Sequence, residues 1–176
     1  MEKTCFLLGF MGSGKTYWGR RLSKRLQVPF VDLDEVIETG EGQDIASIFA
    51  HAGEAAFRRL EQGYLRALAL QPPKVVAVGG GTPCFFDNMA WMRTHGITIY
   101  LEASVPVLAA RLRTDGATRP LLQAVPKGDL EAHIARLLEQ RASVYRLAHA
   151  VVPVEADEAG FLGKLALLCE DATRPI

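Results

Sequence analysis

Gly9-Phe10-Met11-Gly12-Ser13-Gly14-Lys15-Thr16 is the stretch from which the rest of this chain can be read. It fits the pattern G-x-x-x-x-G-K-[ST], a phosphate-binding P-loop. In such a loop the backbone at Gly12, Ser13 and Gly14 curls so that successive N–H groups point inward at phosphate oxygens. Lys15 then sets an ammonium charge on the β- and γ-phosphates, and the Thr16 hydroxyl is placed to ligate Mg²⁺. A glycine-rich turn can meet the pattern by chance, so the flanks decide. Before it, Thr4-Cys5-Phe6-Leu7-Leu8 reads as a short buried strand. After it, Lys15 to Leu26 reads as a helix, with Trp18, Leu22 and Leu26 spaced i, i+4, i+8. The helix N-terminus therefore adds its partial positive charge to the phosphate site.

Working outward, strands and helices alternate. Val28 to Val31 reads as a second strand ending at Asp32-Leu33-Asp34, followed by a helix from about Asp34 to Glu38, stopped by Gly40 and Gly42. Asp44 caps the next helix, which Gly53 breaks. Glu54 to Leu70 forms a longer one, ended by Pro72-Pro73. Lys74 to Val78 is apolar on both sides after its first residue, as a doubly covered parallel strand should be. It runs into Gly79-Gly80-Gly81. Asp87 to His95 reads as a helix with Gly96 as a left-handed terminator. Ile97 to Leu101 is strand four, and Ser104 caps a helix to about Arg113. Asp115 to Gly128, with two prolines and two glycines, reads as a mobile loop. Asp129 then caps a helix to about Leu147; Ala150 to Val154 is a fifth strand, and Asp157 to Leu168 a last helix. The alternation predicts an α/β fold: a mostly parallel sheet with helices on both faces and ligands at the carboxyl ends of the strands. That puts the P-loop, Asp32, Asp34 and the triple glycine on one rim.

Length and composition set bounds. The chain has 176 residues, 49% of them hydrophobic, which suits one domain spanning 1–176 and excludes a disordered chain. Twenty basic and 20 acidic residues leave a formal net charge of +0, so no electrostatic case arises for nucleic acid or an anionic membrane. Cys5, Cys84 and Cys169 are scattered and odd in number, and the four histidines lack zinc-ligand spacing. A reducing, cytoplasmic setting is expected.

Several rim residues carry candidate chemistry. Asp32 and Asp34 lie two apart, on one side if the backbone stays extended. One would hold the metal and the other deprotonate an attacking hydroxyl; alternatively Asp34 is only a helix cap. Arg58 sits between Glu54 and Glu61 on a helical stripe, which as a surface ladder is worth tenths of a kcal/mol per pair. Arg141 shares an apolar stripe with Ile134, Leu138 and Tyr145, so it needs either a bound anion or a path for its charged head to solvent. Three glycines at 79–81 permit close backbone approach to a ligand. Arg119, on the loop, could deliver charge to a transferring phosphoryl group or be a plain solvated charge.

Together these pieces resemble the shikimate kinase family, within the P-loop kinases that include the nucleoside monophosphate kinases. The marks are the P-loop, Asp32-Leu33-Asp34, Ile48-Phe49, Gly53-Glu54-Ala55-Ala56-Phe57-Arg58-Arg59-Leu60-Glu61, Gly79-Gly80-Gly81, Arg119-Pro120-Leu121-Leu122, and Arg141 with Tyr145. The resemblance implies five parallel strands in the order 2-3-1-4-5, a three-layer α/β/α sandwich, a lid at about 115–128 and acceptor-binding helices at about 34–70. It implies transfer of the ATP γ-phosphoryl group to the 3-hydroxyl of shikimate, in aromatic amino-acid biosynthesis, by a monomer. It also implies roles: Asp34 binding the substrate hydroxyls and acting as base, Arg58 and Arg141 on the substrate carboxylate, and Gly80 and Gly81 on ring hydroxyls through backbone groups. Thr16 and Asp32 would hold Mg²⁺, Arg119 would reach the phosphates and Arg113 would lie near the adenine. Ala148-His149 departs from the Ala-Asp of many members. Two other readings compete: a kinase of another small hydroxy-acid such as gluconate, and a nucleotide-binding regulatory module without catalysis.

Overall fold

The computed structural model describes residues 1–69, 71–114, 126, 129–154 and 158–171. Strand β1 (Thr4–Leu8) enters the phosphate loop, which opens helix α1 (Lys15–Leu26). β2 (Phe30–Asp32) leads into α2 (Leu33–Glu41) and α3 (Ile45–Ala69). β3 (Val75–Ala77), a 3₁₀ turn at Thr82–Cys84 and α4 (Asn88–His95) follow. Then come β4 (Gly96–Glu102), α5 (Val105–Thr114), α6 (Leu130–Tyr145), β5 (Ala150–Pro153) and α7 (Glu158–Asp171). All pairings are parallel and the order is β2-β3-β1-β4-β5, as expected.

The central strand explains the layering. Successive side chains of β1 point to opposite faces. Cys5 and Leu7 join Trp18, Leu22, Phe161 and Leu165, the core between the sheet and α1 with α7. Phe6 and Leu8 join Leu33, Ile37, Phe57, Leu65, Met89 and Met92, the core beneath α2, α3 and α4. Phe10 and Met11, in the phosphate loop itself, pack on Leu108, Leu112 and Ile134 of α5 and α6. The loop is thus held on one side by the sheet and on the other by two helices.

Three local expectations need correction. α2 begins at Leu33, so the backbone does not stay extended from Asp32 to Asp34; the cap is Asp32, whose carboxylate accepts the Asp34 amide at 3.2 Å. α2 also runs through Gly40, which is there for contact. A Cβ would lie 2.0 Å from the Tyr64 hydroxyl; Gly42, at φ 65°, ends the helix instead. Gly96 is extended and opens β4, where a Cβ would meet the Thr4 carbonyl at 2.3 Å. Gly53 does break α3, with φ 78° and ψ 168°, and the Asp44 carboxylate does cap that helix, accepting the Ser47 amide at 2.7 Å. The expected lid over 115–128 lies, Pro126 apart, outside the described residues. No described helix is long and apolar enough to cross a membrane.

Candidate active site

The carboxyl ends of β1, β2 and β3 open into one cavity of about 380 Å³. Met11, Gly12, Gly14, Lys15, Thr16, Asp32, Asp34, Gly79, Gly80 and Arg111 are among the residues that line it. Gly12 and Gly14 take φ of 80° and 94°, so a side chain at either would strain the curl that exposes the loop N–H groups. Lys15 Nζ donates to the carbonyls of Gly9 and Phe10 at 2.9 and 3.0 Å, so the ammonium rests on its own loop. Ser13 Oγ is buried and has no hydrogen-bond partner among the described residues, as a group reserved for a ligand would be.

Thr16 Oγ1 donates to Asp32 Oδ2 at 2.7 Å, which joins the end of β2 to the first turn of α1. A hydroxyl and a carboxylate at a phosphate cradle form the hard oxygen donor set that Mg²⁺ takes, with phosphate oxygens and water completing its shell. The residues therefore fit that ion.

Asp34 stands in the first turn of α2, facing the same cavity. Burial, with the nearby carboxylates of Asp32 and Glu61, raises its pKa from 3.8 to about 6, against the opposing pull of Lys15. A carboxylate so placed is a stronger base than an ordinary aspartate while still ionised at neutral pH.

Behind Asp34 lies a buried cluster of opposite charges. Arg58 is 4% exposed, so it is not part of a surface ladder. Its guanidinium donates to Glu54 at 2.8 Å and to the fully buried Glu61 at 3.2 Å, and lies 4.1 Å from the centre of the Phe85 ring. Thr82 donates its hydroxyl to Glu61. Burial raises the Glu61 pKa, while Thr82, Arg58 and Arg141 pull the other way. Arg141 is 9% exposed, so its head does not reach out to solvent. Its Nη1 has no hydrogen-bond partner among the described residues.

The triple glycine lets these groups meet. A Cβ at Gly81 would sit 2.7–2.9 Å from the Arg58 guanidinium. One at Gly79 would lie 2.8 Å from Glu61 and 3.0 Å from Asp34. The Gly80 carbonyl accepts the Tyr145 hydroxyl, and a Cβ at Gly80 would lie 3.4 Å from Met11 N and 3.8 Å from Arg141 Nη1. The glycines after β3 thereby bring the phosphate loop and Arg141 together at Gly80 and Arg58 against Gly81.

The structure thus gathers Lys15, Thr16, Asp32, Asp34, Gly80 and Gly81 on the rim, with Arg58 and Arg141 behind it. Arg113 stands apart, paired with Glu131 at 2.9 Å. Its neighbour Arg111 lines the cavity and donates to the Gly12 carbonyl at 3.1 Å. Arg119 lies outside the described residues. Glu61, Thr82, Tyr145 and Arg111 join the site without having had a role in the sequence. Tyr145 one turn beyond Arg141, and Thr82 directly after the glycines, were the available signals.

Comparison with known proteins gives a consistent result. A family model described as shikimate kinase matches residues 11–162. A shikimate kinase of Parabacteroides distasonis is 42% identical over 153 residues, covering 87% of this chain and 88% of that protein. One of Bacteroides fragilis is 41% identical over 146 residues, 83% and 82% of the two chains. Among solved structures, shikimate kinase from Bacteroides thetaiotaomicron superposes with a TM-score of 0.90 at 36% identity, covering 96% of this chain and 98% of that one. Shikimate kinase from Acinetobacter baumannii, in complex with shikimate, gives 0.89 at 32% identity, covering 98% and 96%.

Proposed function

This chain belongs to the shikimate kinase family, and from that premise we propose that it transfers the γ-phosphoryl group of ATP to the 3-hydroxyl of shikimate. The observation that carries the proposal is the pair of buried arginines behind the phosphate loop, one of them with an uncommitted Nη1. A buried guanidinium without a carboxylate of its own is costly. A ligand carboxylate supplies one, and the planar fork suits it in two-point contact.

In this reading the ATP phosphates lie along the loop, with N–H groups of Gly12, Ser13 and Gly14 on their oxygens. Lys15 leaves the carbonyls of Gly9 and Phe10 and turns to the β- and γ-phosphates. Thr16 and Asp32 would hold Mg²⁺, which when bound would offset negative charge on the phosphate oxygens. Shikimate sits across Gly80 with its carboxylate on Arg58 and Arg141 and its ring hydroxyls on Gly80 and Gly81. Asp34 accepts the proton of the 3-hydroxyl as that oxygen bonds to the γ-phosphorus. The bond from phosphorus to the bridging oxygen breaks and ADP leaves. Arg119 comes onto the phosphates from a lid at about 115–128, and Arg113 serves the adenine end. The enzyme works as a cytoplasmic monomer in a single domain, with ATP and shikimate as its partners and without nucleic acid or membrane. A gluconate-type kinase would use the same arginines, so the acceptor must be tested directly.

The carboxylate contact is tested with shikimate and its methyl ester. Arg58→Lys and Arg141→Lys keep the charge and lose the fork. Each is expected to weaken shikimate binding by roughly 1–3 kcal/mol, about five- to 150-fold. The ester lacks the negative charge, so the same substitutions should cost little with it, a cycle in which the ligand is one partner. Equal penalties for acid and ester would remove the clamp.

A further inference from the structure

Cys84 closes the 3₁₀ turn that follows the triple glycine, and the phosphoryl-transfer scheme gives it no part. Its amide donates to the Gly81 carbonyl at 2.8 Å, which fixes the turn against the residue that touches the Arg58 guanidinium. The next residue, Phe85, lays its ring on that guanidinium at 4.1 Å. The turn also packs against α6, the helix of Arg141, and the charges of both arginines, opposed by that of Glu61, act on the Cys84 sulfur. Cys84 is half-buried, whereas Cys5 and Cys169 are fully buried, the Cys169 thiol donating to Cys5 Sγ at 3.1 Å. The independent sign of a ligand here is Arg141, nine-tenths buried, whose Nη1 has no partner among the described residues.

We propose that Cys84 is a covalent modification site of the acceptor pocket, selective for small electrophiles that carry a carboxylate. The inference rests on the carboxylate reading of Arg58 and Arg141. The two guanidinium groups hold the carboxylate and raise the local concentration of the reagent beside the sulfur. With iodoacetate the Cys84 thiolate attacks the methylene carbon. The S–C bond forms as the C–I bond breaks, iodide leaves with the electron pair, and the thiol proton goes to solvent. Only the thiolate reacts. Burial, with the Glu61 carboxylate, raises the Cys84 pKa against the opposing pull of the arginines, which slows both reagents alike, so selectivity comes from accumulation of the anionic one. The product places a carboxymethyl group where shikimate would bind.

The test follows carboxymethylation and carbamidomethylation of the Cys84 peptide by mass spectrometry, in the intact protein at pH 7.5. Iodoacetate and iodoacetamide are compared, and the unfolded protein gives the reference order of the two reagents. Clefts lined by one charge enrich a counter-ion by 10–10³, so iodoacetate should gain roughly tenfold on iodoacetamide relative to unfolded protein. Shikimate should slow the reaction, and Arg141→Gln should return the ratio to that of the unfolded chain. No reaction at Cys84 in the folded protein would overturn the proposal, as would an unfolded-like ratio or one that survives Arg141→Gln. Turnover of shikimate by the untreated enzyme separates the two claims. Turnover without the selective labelling removes Cys84 alone. Selective labelling without turnover keeps an anion pocket beside Cys84 and removes the shikimate reading.

Discussion

Asp34→Asn exchanges a carboxylate oxygen for an amide nitrogen at a position where the carboxylate is held against its electrostatic preference. No hydrogen bond of the cap depends on it, because the Asp34 amide, not its side chain, meets Asp32. The folded pKa of about 6 lies above the ordinary 3.8. The folded protein thus favours the neutral form. That contribution to stability is complete below pH 3.8 and is lost as pH rises through about 6. The difference of about two pH units corresponds to about 3 kcal/mol at 1.36 kcal/mol per unit. An asparagine carries no charge to lose. The variant should therefore be more stable than wild type by about 3 kcal/mol at pH 8 and by about half as much at pH 5, while its kcat collapses. Urea unfolding of both proteins at the two pH values measures this. An asparagine variant that is no more stable at pH 8, or whose advantage does not change with pH, would refute a base strained by burial and neighbouring carboxylates.

Two further outcomes are expected. Lys15→Ala should keep the fold and lose roughly 10²-fold or more in phosphoryl transfer, because charge stabilisation is removed where charge develops; turnover within about threefold of wild type would take this loop out of catalysis. His149 Nδ1 accepts the Thr98 amide at 3.1 Å, and burial with Arg93 and Lys3 lowers its pKa. The unfolded chain then binds the proton more readily, so stability should fall as pH drops below 6.5 towards the folded pKa. His149→Asn keeps an acceptor that does not titrate, and thermal unfolding between pH 5 and 7.5 should lose that slope; an unchanged slope would assign it to another group.

The alternating elements and both covering layers were legible because the punctuation is strong, whereas the strand order came from the family resemblance. The phosphate loop, the triple glycine and Pro72-Pro73 each mark an end, and Lys74 to Val78 has the composition of a doubly covered strand. The errors arose where one residue type serves two purposes. Gly96 and Gly40 are glycines for want of room beside Thr4 and Tyr64, not for a positive φ. Asp32 and Asp34 are both capable caps, and only the backbone turn at Leu33 chooses between them. Arg58 with Glu54 and Glu61 was visible as a stripe, but its depth was not. That depth comes from Phe85 and Thr82, which are distant along the chain from α3. Arg111, which had no role in the sequence, lies two residues before Arg113 on one short helix, and its place in the cavity lining depends on that helix's rotation.

The most direct test of the proposed reaction is ADP release by the purified protein with Mg-ATP and, in turn, shikimate, gluconate or no acceptor, with ³¹P NMR of the product. Release that depends on shikimate is expected, with a phosphomonoester resonance coupled to the proton at C3. ADP release that is faster with gluconate, or equal with and without an acceptor, would contradict it.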